Sequence, residues 1–107
     1  DIHLYKGKTI ALAGIAITRK ITATRNRQPM EFVTFEDETD LYECVMFPET
    51  YKTFGDLLNW ETLFLIQGKV EKAYSVYTVT IEKLISLTQM IKRIKETKTV
   101  LTESLPQ

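Results

Sequence analysis

The run TIALAGIAITRKIT, residues 9–22, constrains the fold more than any other part of the chain. It is rich in β-branched residues and alternates in part. A branched Cβ loses freedom against the preceding turn of a helix but packs well on a pleated surface, so the run predicts a strand. Gly14 stands in its middle. Glycine weakens a strand unless the strand must bend sharply there, and closing a small barrel requires such a bend. One long, bent first strand is the starting expectation.

The rest of the chain falls into place around it. Residues 23–29 (ATRNRQP) are polar and end in proline, which predicts a loop. Residues 30–37 (MEFVTFED) predict a second strand, with Val33 and Phe35 on one face and Phe32, Thr34 and Glu36 on the other. Glu38-Thr39-Asp40 predicts a turn, and residues 41–47 (LYECVMF) a third strand that makes a hairpin with the second. Pro48 ends β-structure and can open a helix at its first turn. Tyr51, Phe54, Leu57 and Leu58 follow at helical spacing, interrupted by Gly55, which predicts one or two helical turns over residues 49–54 and an irregular turn to Asn59. Residues 63–70 and 76–87 predict strands four and five, joined by a hairpin loop over residues 71–75.

Three strands, a short helix and two strands is the order of an all-β, five-stranded OB-fold: a Greek-key barrel with the helix between strands 3 and 4 plugging one end. Tyr51, Phe54, Leu57 and Trp60 are the expected core and plug residues. With 107 residues there is room for one domain and one modest core. Residues 1–87 are the expected domain. Residues 88–107 form a tail with Met90, Ile91 and Ile94 at helical spacing, compatible with a docked helix or with the start of a linker.

Composition narrows the function classes. Cys44 is the only cysteine, so no intramolecular disulfide can form and a reducing cytoplasm is the simplest setting. One cysteine and one histidine cannot build a zinc site, and the four glycines are too dispersed for a phosphate-cradling loop. No catalytic constellation and no cofactor are expected. No run is long and apolar enough for a membrane span. The N-terminal residues show no export signal, and without an initiator Met the chain reads as a fragment of something longer.

The net charge is zero, but its distribution is not even. Residues 1–30 carry six Lys/Arg against Asp1 alone, residues 31–61 carry nine Asp/Glu against Lys52, and the remainder is mildly basic. A polyanion feels the potential of the face it meets rather than the total. Glu36-Asp37-Glu38 with Asp40 reads as a solvated acidic turn rather than a cation site, with Asp37 and Asp40 placed to cap it.

TRNRQPMEFVTFEDETD, then ECVMFPETY, then LFLIQGKVE together resemble the OB domain near the C-terminal end of the bacterial DNA polymerase III alpha subunit, over roughly Gly7 to Leu87. The family's turn glycine is Asp40 here, its loop glycine is Arg27 or Gln28, and Ala73-Tyr74-Ser75 replaces a common Asp-Gly. The resemblance implies a single-stranded-DNA-binding module of a replicative or repair polymerase. Its partners would be the other domains and subunits of a polymerase holoenzyme, with no membrane, and the parent chain would be a DNA-directed DNA polymerase. A protein-interaction or tRNA-anticodon-binding OB domain is the alternative, since OB barrels serve unrelated roles.

The candidate nucleic-acid-binding residues follow from loop chemistry. Arg25 and Arg27 lie in the first loop, fed by Arg19 and Lys20, where guanidinium groups can meet phosphates and stack on bases. Four solvated charges are the plain alternative. Phe32 on strand two and Phe47 at the end of strand three are candidate stacking platforms, unless both faces of a small coiled barrel are partly buried or a bend at Pro48 turns Phe47 inward. Lys69, Lys72 and Tyr74 lie at or near the second lip of the groove, although Tyr74 and Tyr77 could equally cover the barrel mouth.

Overall fold

The computed structural model describes residues 2–73 and 75–104. Five strands close a barrel in the order β1-β2-β3-β5-β4: β1 (Thr9–Ala23), β2 (Pro29–Glu36), β3 (Leu41–Met46), β4 (Leu63–Ala73) and β5 (Val76–Ser86). Between β3 and β4 lie two short helices, α1 (Pro48–Phe54) and α2 (Leu57–Trp60). A 3-10 turn (Ile2–Tyr5) precedes the barrel and helix α3 (Leu87–Ser104) follows it. The five-stranded OB order with its helix between strands 3 and 4 is the one the sequence predicts.

The first strand closes the barrel because it serves two neighbours. Thr9 to Ile15 pair with β4, and Ile15 to Ala23 pair with β2. The change of partner falls beside Gly14. A Cβ there would sit 3.0 Å from the Glu36 carbonyl oxygen and 3.3 Å from the Phe35 Cβ, so a side chain would push the two halves of the barrel apart. A register shift between Ala16 and Thr18 adds further coil. The last seam, β3 against β5, is parallel and holds only two aligned pairs, Cys44 with Val79 and Val45 with Thr80.

The core is the barrel interior. Val33, Phe35, Cys44, Met46, Phe64, Ile66, Val70, Val79, Ile81 and Leu84 are buried there, and Phe35 and Phe64 meet edge to face at 6.0 Å. Alternation explains the set: Val33 and Phe35 lie two apart on β2, Cys44 and Met46 two apart on β3.

Two expectations need correction. The β4–β5 connection is not a loop over residues 71–75. Pairing continues to Ala73 opposite Val76, which leaves a two-residue turn whose second residue, Ser75, has φ +66°. The short primed turns of hairpins use that left-handed conformation. The plug also differs. Leu58 is its buried residue, with Tyr51, Phe54 and Leu57 half-buried against the core, whereas Trp60 is 77% exposed. The backbone stays helical through Gly55 and Asp56, and Trp60, nine residues after Tyr51, falls on the opposite side of that turn from the buried stripe. The Trp60 indole donates to Asp56 there, at 3.3 Å.

Candidate nucleic-acid interface

The outer face of the barrel carries one continuous row in strand register. Lys20 on β1 is opposite Phe32 on β2, Phe32 is opposite Val45 on β3, Val45 is aligned with Thr80 on β5, and Thr80 is opposite Lys69 on β4. The row bends around the closed barrel, and at about 4.8 Å per strand its arc is roughly 19 Å. Phe47 continues the parity of Glu43 and Val45 beyond the end of β3. Phe32 and Phe47 are 44% and 47% exposed. Met30, Thr34 and Val45 share this face, outside the core cluster, and are covered all the same. The face is thus a lined surface with two aromatic rings left open on it, and Phe47 is not turned inward by Pro48.

Two hairpins flank the row from opposite sides. The β1–β2 loop lies beside the C-terminal end of β3, because β2 runs antiparallel to it. The β4–β5 turn lies toward the start of β3, because β5 runs parallel to it. Arg25 and Arg27 are exposed on the first loop. That loop is narrower than the sequence suggests. The Thr24 amide donates to the Gln28 carbonyl, the Arg27 amide to the Thr24 carbonyl, both at 2.9 Å, and the Gln28 amide to the Thr24 Oγ1 at 3.2 Å. Arg27 adopts φ +61°. Arg27 in this loop and Ser75 in the other are the two residues besides glycine with left-handed backbone among the described residues.

The remaining candidates sit elsewhere. Arg19 shares the inward parity of Val33 and Ile21 rather than that of Lys20. Its Nε and Nη2 donate to the Glu31 carboxylate at 2.5 and 3.3 Å, while Nη1 donates to the Asn59 Oδ1 at 2.9 Å and the Leu58 carbonyl at 3.3 Å. Glu31 is fully buried, and its bond to Arg19 holds the guanidinium pKa above the ordinary value. Lys72 is opposite Tyr77 with its Nζ 5.3 Å from that ring's centre, and the Tyr77 ring also stands 6.0 Å from His3. Lys72 therefore lies with the barrel mouth, on the other face from Lys69. Tyr74 lies outside the described residues.

The buried charge that sequence reasoning missed is Glu31. The signal was present: Val33 and Phe35 facing inward oblige Glu31 to do the same, and a buried carboxylate requires a cation. The acidic turn at the far end of the β2–β3 hairpin behaves as a turn. The Asp37 carboxylate accepts from the Thr39 and Asp40 amides at 2.8 Å each, which lowers its pKa below the ordinary value. No cluster of metal-binding side chains exists among the described residues, and no helix there is long and apolar enough to cross a membrane.

Residues 10–87 match the family model described as the OB-fold nucleic acid binding domain. The DNA polymerase III subunit alpha of Halalkalibacterium halodurans is 28% identical over 88 residues, 81% of this chain but 8% of the relative. The chain therefore spans less than a tenth of that relative's length. Among solved structures, a mitochondrial single-stranded DNA binding protein from S. cerevisiae aligns with a TM-score of 0.62 at 9% identity, covering 77% of this chain and 97% of that one. An asparaginyl-tRNA synthetase from Pyrococcus horikoshii aligns with a TM-score of 0.59 at 21% identity, covering 78% of this chain and 20% of that one. At those identities the likeness is one of fold.

Proposed function

Because the chain belongs to the OB-fold nucleic acid binding domain family, we propose that it holds single-stranded DNA for a polymerase, through phosphate charge and base stacking with little sequence preference. The observation that carries this reading is the pair of open rings, Phe32 and Phe47, on the outer wall of β2 and β3, with Lys20 opposite Phe32 and the exposed Arg25 and Arg27 on the loop that joins β1 to β2. Bases stack on exposed aromatic faces whatever their identity, and cations alongside meet the backbone. Lys20, Arg25, Arg27, Phe32, Phe47 and Lys69 form the contact set. Arg19 and Lys72, already engaged with Glu31 and Tyr77, lie outside it.

The polymerase relative supports a parent chain of the DNA polymerase III alpha type, acting in the cytoplasm among other domains and subunits of a holoenzyme. In that setting the barrel, up to residue 87, is the binding module. Helix α3 follows it, and the chemistry belongs to other domains.

The test is fluorescence anisotropy on labelled oligo-dT at several salt concentrations. Wild type should bind weakly, at micromolar levels or poorer. Arg25→Gln/Arg27→Gln should bind less tightly and lower the log–log salt slope by about 0.7 per lost phosphate contact on a single strand. Wild-type preference for structured tRNA over oligo-dT would favour the anticodon-binding reading instead. An unchanged double variant would remove the first loop from the groove and point to a protein partner.

A further inference from the structure

Beyond its outermost pairs with β3, the β1–β2 ribbon is a two-stranded arm. The β2–β3 pairing runs only from Glu31 opposite Met46 to Glu36 opposite Leu41, and β1 leaves β4 at Ile15. The pairs Thr22 with Met30 and Ala23 with Pro29, and the loop they carry, therefore have no third strand on either side. A two-stranded ribbon is marginally stable and twists easily, so its angle to the barrel is set by α1, which shares a pocket with Gln28 and Pro29, and by side chains at its base.

Those side chains are on the page. Arg19 stands on β1 opposite Val33, below the arm, and Glu31 stands on β2 two residues nearer the loop, opposite Ile21. Glu31 is fully buried, while the Arg19 side chain is 31% exposed. One guanidinium takes both Glu31 oxygens on its Nε and Nη2 side and two acceptors of α2, Leu58 O and Asn59 Oδ1, on Nη1. Those two bonds tie the β1–β2 ribbon to α2 just below the point where the arm leaves β3. A planar, forked cation can span four acceptors in fixed directions, whereas an ammonium is a point charge on a flexible stem.

We propose that Arg19 is a positioning residue: with Glu31 and Asn59 it braces the first arm against α2 and so aims Arg25 and Arg27 across the groove, without itself touching the nucleic acid. This rests on the single-strand reading above, and it inverts an electrostatic expectation. Glu31 is an acid close to the binding loop, so charge alone says that its removal favours a polyanion. If its work is to hold the brace, removal weakens binding.

The experiment uses the whole chain and two readouts. The first is amide hydrogen exchange over residues 24–28 without nucleic acid, and the second is oligo-dT anisotropy across salt. Arg19→Gln, Arg19→Lys, Glu31→Gln and the milder Asn59→Ala are compared with wild type, each after a cooperative melt has shown it folded. Asn59 is exposed, so Asn59→Ala keeps the exchange readout available if a buried-site variant fails to fold. Expected results are faster exchange in the arm for all four, weaker binding for Glu31→Gln, and no rescue by Arg19→Lys. For Arg19→Gln the slope should fall by about 1.4, as for two lost contacts, and no further in the Arg25→Gln/Arg27→Gln background. Tighter binding by Glu31→Gln, or a slope change near 0.7 in Arg19→Gln that Arg19→Lys restores, would make Arg19 an ordinary phosphate ligand and overturn the inference. Unaltered arm exchange in the folded variants would overturn it as well. A wild type that binds no oligo-dT at any salt would sink the single-strand reading, and the exchange readout would still decide whether the brace exists.

Discussion

Arg27 is held at φ +61°, where the Cβ of an L-residue crowds the following carbonyl. Such a conformation costs about 1–2 kcal/mol for a residue other than glycine, partly recovered through the lower entropy of its unfolded chain. Arg27→Gly should therefore stabilise the fold by up to about 1 kcal/mol while weakening binding to oligo-dT. Denaturant melts beside anisotropy separate the two effects, and a variant that loses stability would mean that the arginine side chain packs somewhere useful. Phe32 makes the complementary case. Its ring is 44% exposed, so Phe32→Ala should leave stability nearly unchanged and reduce affinity by about 1–3 kcal/mol, the worth of one stacked base. The salt slope should stay at its wild-type value, because no charge has gone. The strand alternation that put Phe32 outside also put Glu31 inside, and its pairing with Arg19 was the part that alternation could not reach. Two residues twelve apart meet there only because the β1–β2 hairpin has one register.

At the scale of elements, the barrel wall and its plug differ in how firmly they are held. Phe35 is fully buried against Phe64, whereas Phe54 is half-buried at the rim. Phe35→Ala should cost about 3–5 kcal/mol because the closed wall cannot collapse into the cavity. Phe54→Ala should cost less, about 1–2 kcal/mol, since water can reach part of the space it leaves. Urea melts of both variants check the order, and equal losses would mean that the helical segment is packed as deeply as the strands. The expected plug includes Trp60 with Tyr51, Phe54 and Leu57. Trp60 lies on the other side of the helical segment from Tyr51 and Leu58 and faces solvent. Helix α3 begins on the Ser86 hydroxyl, which accepts from the Gln89 amide at 3.1 Å. Past its first turns the helix leaves the barrel, with Ile91 and Ile94 exposed.

For the molecule as a whole, the distribution of charge is resolved by topology. The acidic middle segment sends Glu31 inside to Arg19 and gathers Glu36, Asp37, Glu38 and Asp40 at the end of the hairpin away from the arginine loop. It leaves Glu43 on the outer face, where the carboxylate accepts from the Thr34 hydroxyl. The closed barrel also keeps Cys44 dry, and burial pushes its thiol up from 9.0 to about 12. The unfolded chain releases this proton above pH 9 while the folded chain retains it. Stability from this source is therefore intact below pH 9 and is lost as pH rises toward 12, by an amount of up to about 4 kcal/mol. Between pH 8 and 11 wild type should lose more stability than Cys44→Ala, in which the other titrations are common to both proteins. Parallel curves would mean that the thiol is open to solvent.

The sequence by itself determined the order of elements, the bend at Gly14, the inward set on β2 and the cationic first loop, because each is a local matter of branching, alternation and turn chemistry. Only the tertiary structure decided the partners. It joined Arg19 to Glu31 and the helical cap, set Lys72 over Tyr77, and aligned Lys20, Phe32, Val45, Thr80 and Lys69 in one row. The physical reason is register and closure: which side chains share a level on a barrel depends on how strands far apart in the chain slide past one another, and a single strand carries no information about its neighbours' offset.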